Sequence, residues 1–449
     1  MRHHAILLLL LILGTLARYD ARYNTIAYKK YTQSQKSQKI EYNIIDKIVA
    51  RNKKIAGATS YGKYYVQGTV SPELVLYDQW IYDESESYVE DIEDYGSFIA
   101  VGESIWQYGG FAVELYYKSD FSLYARKELP FFYYSKLYDI ATYNGYIYVT
   151  GLCSNGSRYA RIAKLGAGLN VIWDIFKRSC IGTSMVFVQK DAHTYVYVIA
   201  EIVGEDGFAL IIIDTETGTI HDYQEYSIYD FKPRSAFMLD GYIYIFGSGS
   251  VTAAIRMDPI TYEYVAIRWS KNYTYATQHN GVIYTVDNYD LLRKEQYWSR
   301  NLTELLGGDK ANITSIAFGD FGSIYVTVEL GGEVLKIIRM DDDTGEILSQ
   351  LTISRGEWDT NAGAGIIVTG LNQQYQSRIF EIDTVENPGG TITYVRYILA
   401  YEDIISPTIS ILNPNNDTYI YDTVDISYSA TDNESGIDHM KYDWMVEIG

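Results

Sequence analysis

A turn dipeptide or glycine that opens a Tyr/Ile/Val strand eight times, an Asp turn about twenty residues behind it in most units, and a heavy load of tyrosine predict an all-β chain. Together they specify a β-propeller of about eight, alternatively seven, four-stranded blades. The strand signature recurs at Gly62, Gly96, Gly145, Thr194, Gly241, Gly281, Gly322 and Gly365, at intervals of 34 to 49 residues. That spacing suits a unit of four short strands, which cannot bury its own faces and must stack on its neighbours.

The turns have a physical reading. In Asn144-Gly145 and Asp240-Gly241 both residues tolerate the left-handed conformation that a two-residue hairpin demands. A second signature runs Ile213-Asp214-Thr-Glu-Thr217-Gly218, Met257-Asp258-Pro-Ile-Thr261, Met340-Asp341-Asp-Asp-Thr344-Gly345 and Ile382-Asp383. Its Asp carboxylate accepts backbone N–H groups further along the turn, and Gly supplies positive φ where the turn closes. Each unit therefore reads as strand a, tight turn, strand b, variable loop, strand c, Asp turn, strand d. The tight a–b and c–d turns share one end of the ring. The irregular loops at 151–158, 247–250, 287–290, 330–333 and 371–377 are expected at the other, where ligand contacts vary without cost to the core.

Composition agrees with this class. The chain carries 46 Tyr against 14 Phe and 7 Trp, and tyrosine suits a half-buried strand surface with its ring packed and its hydroxyl wet. At 449 residues and 47% apolar content a large core is affordable, so the chain is not disordered. A formal net charge of −20 opposes the basic surface that a phosphate backbone requires, which argues against nucleic acid as a partner.

At the N-terminus, Met1-Arg2-His3-His4, an apolar run from Ala5 to Leu13, and small residues at Thr15 and Ala17 read as a signal peptide over residues 1–17. The run is shorter than the ~20 residues of a permanent membrane helix. An extracellular or cell-surface location follows, with membrane attachment only through an anchor outside this sequence. Residues 18–38, Gln/Ser/Lys-rich from Tyr31, read as a linker, and the propeller is placed at 39–403. Its first strand, Lys39 to Val49, is expected to close the ring as the outer strand of the last blade.

Two segments carry resemblances. Tyr146-Ile-Tyr-Val-Thr-Gly151, Tyr159-Ala-Arg-Ile-Ala-Lys164-Leu-Gly and Asn170-Val-Ile-Trp173 together resemble the SBBP-type β-propeller repeat of prokaryotic exported proteins. That resemblance implies surface location and interaction more than a single reaction. Pro407-Thr-Ile-Ser-Ile-Leu-Asn-Pro414 and Val424-Asp-Ile-Ser-Tyr-Ser-Ala430-Thr-Asp432-Asn-Glu-Ser-Gly436 resemble the start of a bacterial or archaeal Ig-like β-sandwich, giving a partial, truncated domain at 404–449.

Catalytic chemistry is sparse. His193, His221, His279 and His439 are scattered through different units, and no Gly-x-Ser-x-Gly, His-Glu-x-x-His or phosphate-cradling Gly loop occurs. No catalytic residue and no cofactor are assigned. Asp341, Asp342 and Asp343 are weak candidates for Ca²⁺, because hard cations want several carboxylate oxygens, and Asp432, Glu434 and Asp438 are similar. Cys153 and Cys180 are read either as a disulfide or as two buried thiols. N-glycosylation sequons stand at Asn155, Asn272, Asn301, Asn312, Asn416 and Asn433. On the loop face, Asn155, Arg158, Asn288, Tyr289, Asn372, Gln374 and Tyr375 are the binding candidates, since amides beside an aromatic ring suit sugars. The expected function is a non-catalytic interaction module for a cell-envelope protein or glycan. The alternatives are a polysaccharide lyase or glycoside hydrolase using the channel, and a surface-layer or filament subunit.

Overall fold

The computed structural model describes residues 74–401, apart from 85–86, 106–108, 132, 251, 269–270, 309, 320–321, 332–333, 355–363, 372–375 and 388–389, together with 408–413 and 427–431. The signal segment, the linker, Lys39 to Val49 and the Gly62 unit all lie outside the described residues.

Seven four-stranded antiparallel blades are described. Blade 1 is Ser87–Tyr95, Phe98–Ile105, Gly110–Tyr117 and Leu123–Pro130; blade 2 is Tyr134–Tyr143, Tyr146–Ser154, Arg158–Leu165 and Val171–Arg178. Blade 3 is Cys180–Lys190, His193–Ile202, Phe208–Asp214 and Ile220–Tyr226; blade 4 is Lys232–Leu239, Tyr242–Gly249, Ala254–Met257 and Tyr264–Arg268. Blade 5 is Lys271–His279, Val282–Asp287, Leu291–Lys294 and Trp298–Asn301; blade 6 is Ala311–Phe318, Ser323–Leu330, Val334–Asp341 and Ile347–Ser354. Blade 7 combines Ala364–Leu371, Gln376–Asn387 and Gly390–Tyr401 with Leu74–Glu84 as its outermost strand. The ring is thus closed by an N-terminal strand, as expected, but that strand is Leu74–Glu84, paired from Leu74↔Ala400 to Glu84↔Thr391. The outer position proposed for Lys39 to Val49 is already taken.

The core lies between blades rather than within them, because each twisted sheet is apolar on both faces. Phe111 and Val113 of blade 1 pack on Leu137 and Ile147 of blade 2, and the same happens at every junction round to Phe380 and Val395 of blade 7 against Val89 and Val101 of blade 1. A closed ring leaves no uncovered sheet face between its first and last members.

The Asp turns form as read from the sequence. Asp214 Oδ1 accepts the N–H groups of Glu216 and Thr217, Asp258 Oδ1 those of Ile260 and Thr261, and Asp341 Oδ1 that of Thr344. These bonds hold the Asp214 and Asp258 carboxyls below the usual carboxylate range. Each turn also serves the preceding blade. Tyr148, Lys164 and Trp173 stand side by side across three strands of blade 2. Lys164 Nζ and Trp173 Nε1 both donate to the Thr215 carbonyl of blade 3, at 2.8 and 3.2 Å. Blade 5 repeats the device on blade 6: Lys294 Nζ and Trp298 Nε1 reach the Asp342 carbonyl at 3.0 and 2.8 Å, and Tyr284 Oη donates to Asp342 Oδ1 at 2.5 Å. Between blades 3 and 4, Tyr197 Oη donates to the Pro259 carbonyl. The residue after the turn Asp is therefore a socket, and the Lys and Trp that carry the repeat resemblance are the latch that fills it.

Blade 7 departs from the reading. Gly365 lies inside its inner strand, where a Cβ would meet Ile92 Cγ2 at 2.6 Å, and Asp383 lies mid-strand in a buried ion pair rather than in a turn. Residues 372–375, between the first and second strands, lie outside the described residues. The repeat slipped here because the inner strand itself is a Gly-Ile-Ile-Val run, indistinguishable by composition from the strand that follows a turn.

Cys153 and Cys180 are free and buried in different inter-blade layers. Cys153 Sγ accepts the Ser135 hydroxyl at 3.4 Å, Cys180 Sγ lies 3.5 Å from Tyr223 Oη, and burial pushes both thiols up. The disulfide alternative is thereby replaced by two core thiols. In the tail, Thr408–Asn413 pairs antiparallel with Ser427–Thr431, and the rest of the expected Ig-like segment lies outside the described residues.

Candidate binding face and channel

The tight turns and the irregular loops occupy opposite ends of the ring, as the meander requires. Lys118 N donates to the Ser97 carbonyl and Thr215 N to that of Thr194, joining c–d to a–b turns. At the other end Gly207 N donates to Phe231 O and Asn288 N to Asn272 O, joining b–c to d–a loops.

On this loop face a polar groove of about 480 Å³ opens between blades 4 and 5, lined by Asp230, Ser248, Gly249, Ser250, Asn272, Asp287 and Asn288. Its walls are fixed by backbone geometry. The two blades are joined there by ladder pairs Ser248↔Asn272 and Gly249↔Lys271. Asp230 Oδ2 accepts Ser250 N and Asp287 Oδ1 accepts Asn272 N, each at 3.2 Å. A Cβ on Gly249 would stand 2.2 Å from the Thr252 carbonyl, so only glycine permits this close approach. Asp230, Asn288 and Tyr289 hold left-handed backbone at φ 55, 53 and 75°, a strain that collects at functional loops. The Tyr289 carbonyl accepts Ile313 N, tying the loop to blade 6. Beside the groove in sequence, the rings of Tyr229 and Tyr289 are 72% and 50% exposed, far more than inter-blade packing would leave them.

Of the binding candidates, Asn288 lines this groove and Tyr289 adjoins it. Asn155 and Arg158 are exposed at the b–c connection of blade 2, on the same face but away from the groove. Asn372, Gln374 and Tyr375 lie outside the described residues. Asp230 and Asp287 escaped notice because single acids in turns look like ordinary turn residues; pairing each loop with its neighbour's d–a connection would have singled them out.

Asp432, Glu434 and Asp438 lie outside the described residues, and the other Ca²⁺ candidates, Asp341 to Asp343, do not converge. Asp341 is spent on its turn, Asp342 is held by Tyr284 and by Lys294 at 3.0 Å, and Asp343 is 95% exposed. Among the described residues no group of three His, Cys, Asp or Glu is arranged to hold a metal ion.

A second polar constellation was not foreseen. Where the inner strands of blades 1, 2, 3 and 6 bulge, one side chain caps the next blade's backbone. Asp91 Oδ2 accepts Ile140 N, Asp139 Oδ2 accepts Met185 N, Ser184 Oγ accepts Ala236 N, and Ser315 Oγ accepts Ile366 N. Two members of this staple ring are therefore carboxyls, hydrogen-bonded to each other, where two others are serines. Burial raises the Asp91 carboxyl to about 6 and the Asp139 carboxyl well above its ordinary value, the latter helped by the Asp91 and Glu93 charges. Burial, then the Asp91 charge, raises Glu93 to about 8. Tyr275, reaching from blade 5, is pushed up by burial and by the same acids.

A raised carboxyl binds its proton more tightly in the folded protein than in the unfolded chain, so this stabilisation is present near pH 4 to 5 and is lost as pH climbs through 6 and then 8. Unfolding free energy is expected to fall by at least about 1 kcal/mol between pH 5 and pH 8. Asp139→Asn keeps an acceptor for Met185 N–H and removes the like charge. It is expected to raise the melting temperature at pH 8 and leave it unchanged at pH 5. Calorimetric scans of both proteins across this range check it; a flat wild-type profile would count against a proton held at the Asp91–Asp139 pair.

The ring and its inter-blade latches define a β-propeller, with seven blades among the described residues. Among solved structures the chain is similar to the Cps50 (Swd1) β-propeller domain of Myceliophteria thermophila, with 9% identity, 72% of this chain and 99% of that chain covered, and a TM-score of 0.48. It is also similar to the computationally designed Ika8 protein, with 11% identity, 70% and 98% covered, and a TM-score of 0.39. The architecture stands on the strand pairing. No family model and no curated protein matches the sequence.

Proposed function

We propose that this propeller is an exported, non-catalytic interaction module that recognises a cell-envelope glycan through the groove between blades 4 and 5. The observation that carries it is the pairing of a rigid amide- and carboxylate-lined groove with the exposed Tyr229 and Tyr289 rings. Sugars present hydroxyls to such polar groups and C–H faces to aromatic rings. The secretory N-terminus, the likeness of blade 2 to SBBP-type repeats and the Ig-like texture of the tail support display at the cell surface. A glycan array followed by calorimetry tests the reading. Tyr289→Ala and Asn288→Ala are each expected to weaken binding about tenfold, about 1.4 kcal/mol, without changing the melting temperature. An array without hits, or variants that bind as well as wild type, would sink it.

A hydrolase or lyase is the second reading, favoured by the buried Asp91–Asp139 carboxyl pair, both shifted upward by burial, beside Tyr275. Against it, Ser184 and Ser315 do the same backbone-capping work with no acid, which marks the position as structural. Polysaccharide cleavage by wild type that disappears in Asp139→Asn would reverse this order.

A further inference from the structure

Four of the six sequons lie among the described residues; two of them have their side-chain chemistry occupied by the fold, and a third sits in the wall of the groove. Asn301 Oδ1 caps the one-turn helix Leu302–Leu305 by accepting Glu304 N. The hydroxyl of its sequon partner Thr303 donates to Asp290 Oδ2 at 2.8 Å and accepts Ala311 N. Asn312 donates its own amide Nδ2 to Glu329 Oε2 at 3.1 Å, and Thr314 Oγ1 lies 2.8 Å from Thr327 Oγ1. Asn272 lines the groove, next to Tyr273 at 1% exposure, and its partner Thr274 faces the Val286 carbonyl from within a paired strand. At Asn301 and Asn312 the sequon must give up these side-chain bonds before both Nδ2 and the hydroxyl are free, and at Asn272 the hydroxyl must leave the Val286 carbonyl within the groove wall.

Asn155-Gly156-Ser157 differs. It is the exposed tip of the b–c hairpin of blade 2, with Gly156 at φ 93°. The Asn155 side-chain bond uses Oδ1, accepting Ser157 N at 3.4 Å, which spends no Nδ2 proton and draws the sequon into a compact turn. The Ser157 hydroxyl is touched only at 3.4 Å by the exposed Arg178 guanidinium. We infer that Asn155 is the N-glycosylation site of the propeller, and that Asn272, Asn301 and Asn312 stay unmodified. In the transfer, Nδ2 bonds to the anomeric carbon of a lipid-pyrophosphate-linked oligosaccharide. The bond from that carbon to the pyrophosphate oxygen breaks, the lipid pyrophosphate leaves, and the amide gives up one proton to the enzyme's base. A glycan there stands on the loop face at blade 2 and leaves the groove between blades 4 and 5 open, whereas one on Asn272 would fill it.

The inference rests on the exported reading, so the test separates the two. The full chain is secreted from a glycosylating host behind that host's own leader, and the folded secreted protein is mapped by mass spectrometry. Asn155→Gln is expected to lose one glycan-sized mass step and to keep the wild-type melting temperature. An unchanged mass in Asn155→Gln, or a glycan on Asn272, Asn301 or Asn312, overturns the assignment. A parallel arm with the chain's own leader reads export alone: failure there, with Asn155 modified in the first arm, rejects export and leaves the site standing.

Discussion

Replacing Arg396 by methionine is expected to cost about 3 to 5 kcal/mol of stability, the largest effect of any single change in the ring. Arg396, Glu381 and Asp383 are all fully buried on the face of blade 7 that also carries Ile379 and Ile398, which pack against blade 6. Arg396 Nη1 donates to Glu381 Oε2 at 2.7 Å and to Asp383 Oδ1 at 2.5 Å. Its Nε donates to Gln79 Oε1 of the closing strand at 2.9 Å. Two neighbouring carboxylates raise the guanidinium above its ordinary range, although burial alone would lower it. Methionine fills much the same volume, so the loss measures the uncompensated acids rather than a cavity. Those acids can be neutralised by protons, and the deficit is expected to shrink at pH 5 relative to pH 8. Denaturant titrations at both pH values check this. A change within about 0.5 kcal/mol, the range of a plain surface substitution, would show that the network does not hold the closure.

Trp298→Ala is expected to cost about 3 kcal/mol and Gly345→Ala about 2 kcal/mol, with strong non-additivity between them. The indole lies over Gly345, where a Cβ would stand 2.7 Å from Trp298 Cδ2, and Gly345 holds φ at 70°. Alanine there meets two penalties: the left-handed backbone and the displaced ring. Once Trp298 is gone the second vanishes, so Gly345→Ala in the Trp298→Ala background is expected to cost only about 1 kcal/mol. Losing the indole also removes a donor from the Asp342 carbonyl, although Lys294 Nζ still reaches it. Additive losses in the double-mutant cycle would mean that ring and glycine are independent, and the latch would be reduced to coincidence.

Local chemistry made much of the fold legible. The Asp turns at 214, 258 and 341 need only a carboxylate and nearby amides, and the Asn144-Gly145 and Asp240-Gly241 hairpins need only residues that accept positive φ; all five are observed. The division into a plain end and a loop end followed from strand alternation alone. The groove was half legible: Asn288 and Tyr289 announce themselves as an irregular loop, but Asp230 is about sixty residues away in sequence and joins them only through blade adjacency.

What the chain determined by itself was therefore the repeat, the all-β class and the chemistry of each turn, because these depend on contacts a few residues long. Only the tertiary structure decided which strand closes the ring, how many described blades share it, and which carboxyls are buried beside one another. Those properties depend on groups brought together from segments distant in sequence. Burial and neighbouring charge shift a carboxyl or occupy an amide, and neither can be read from the residue that carries it.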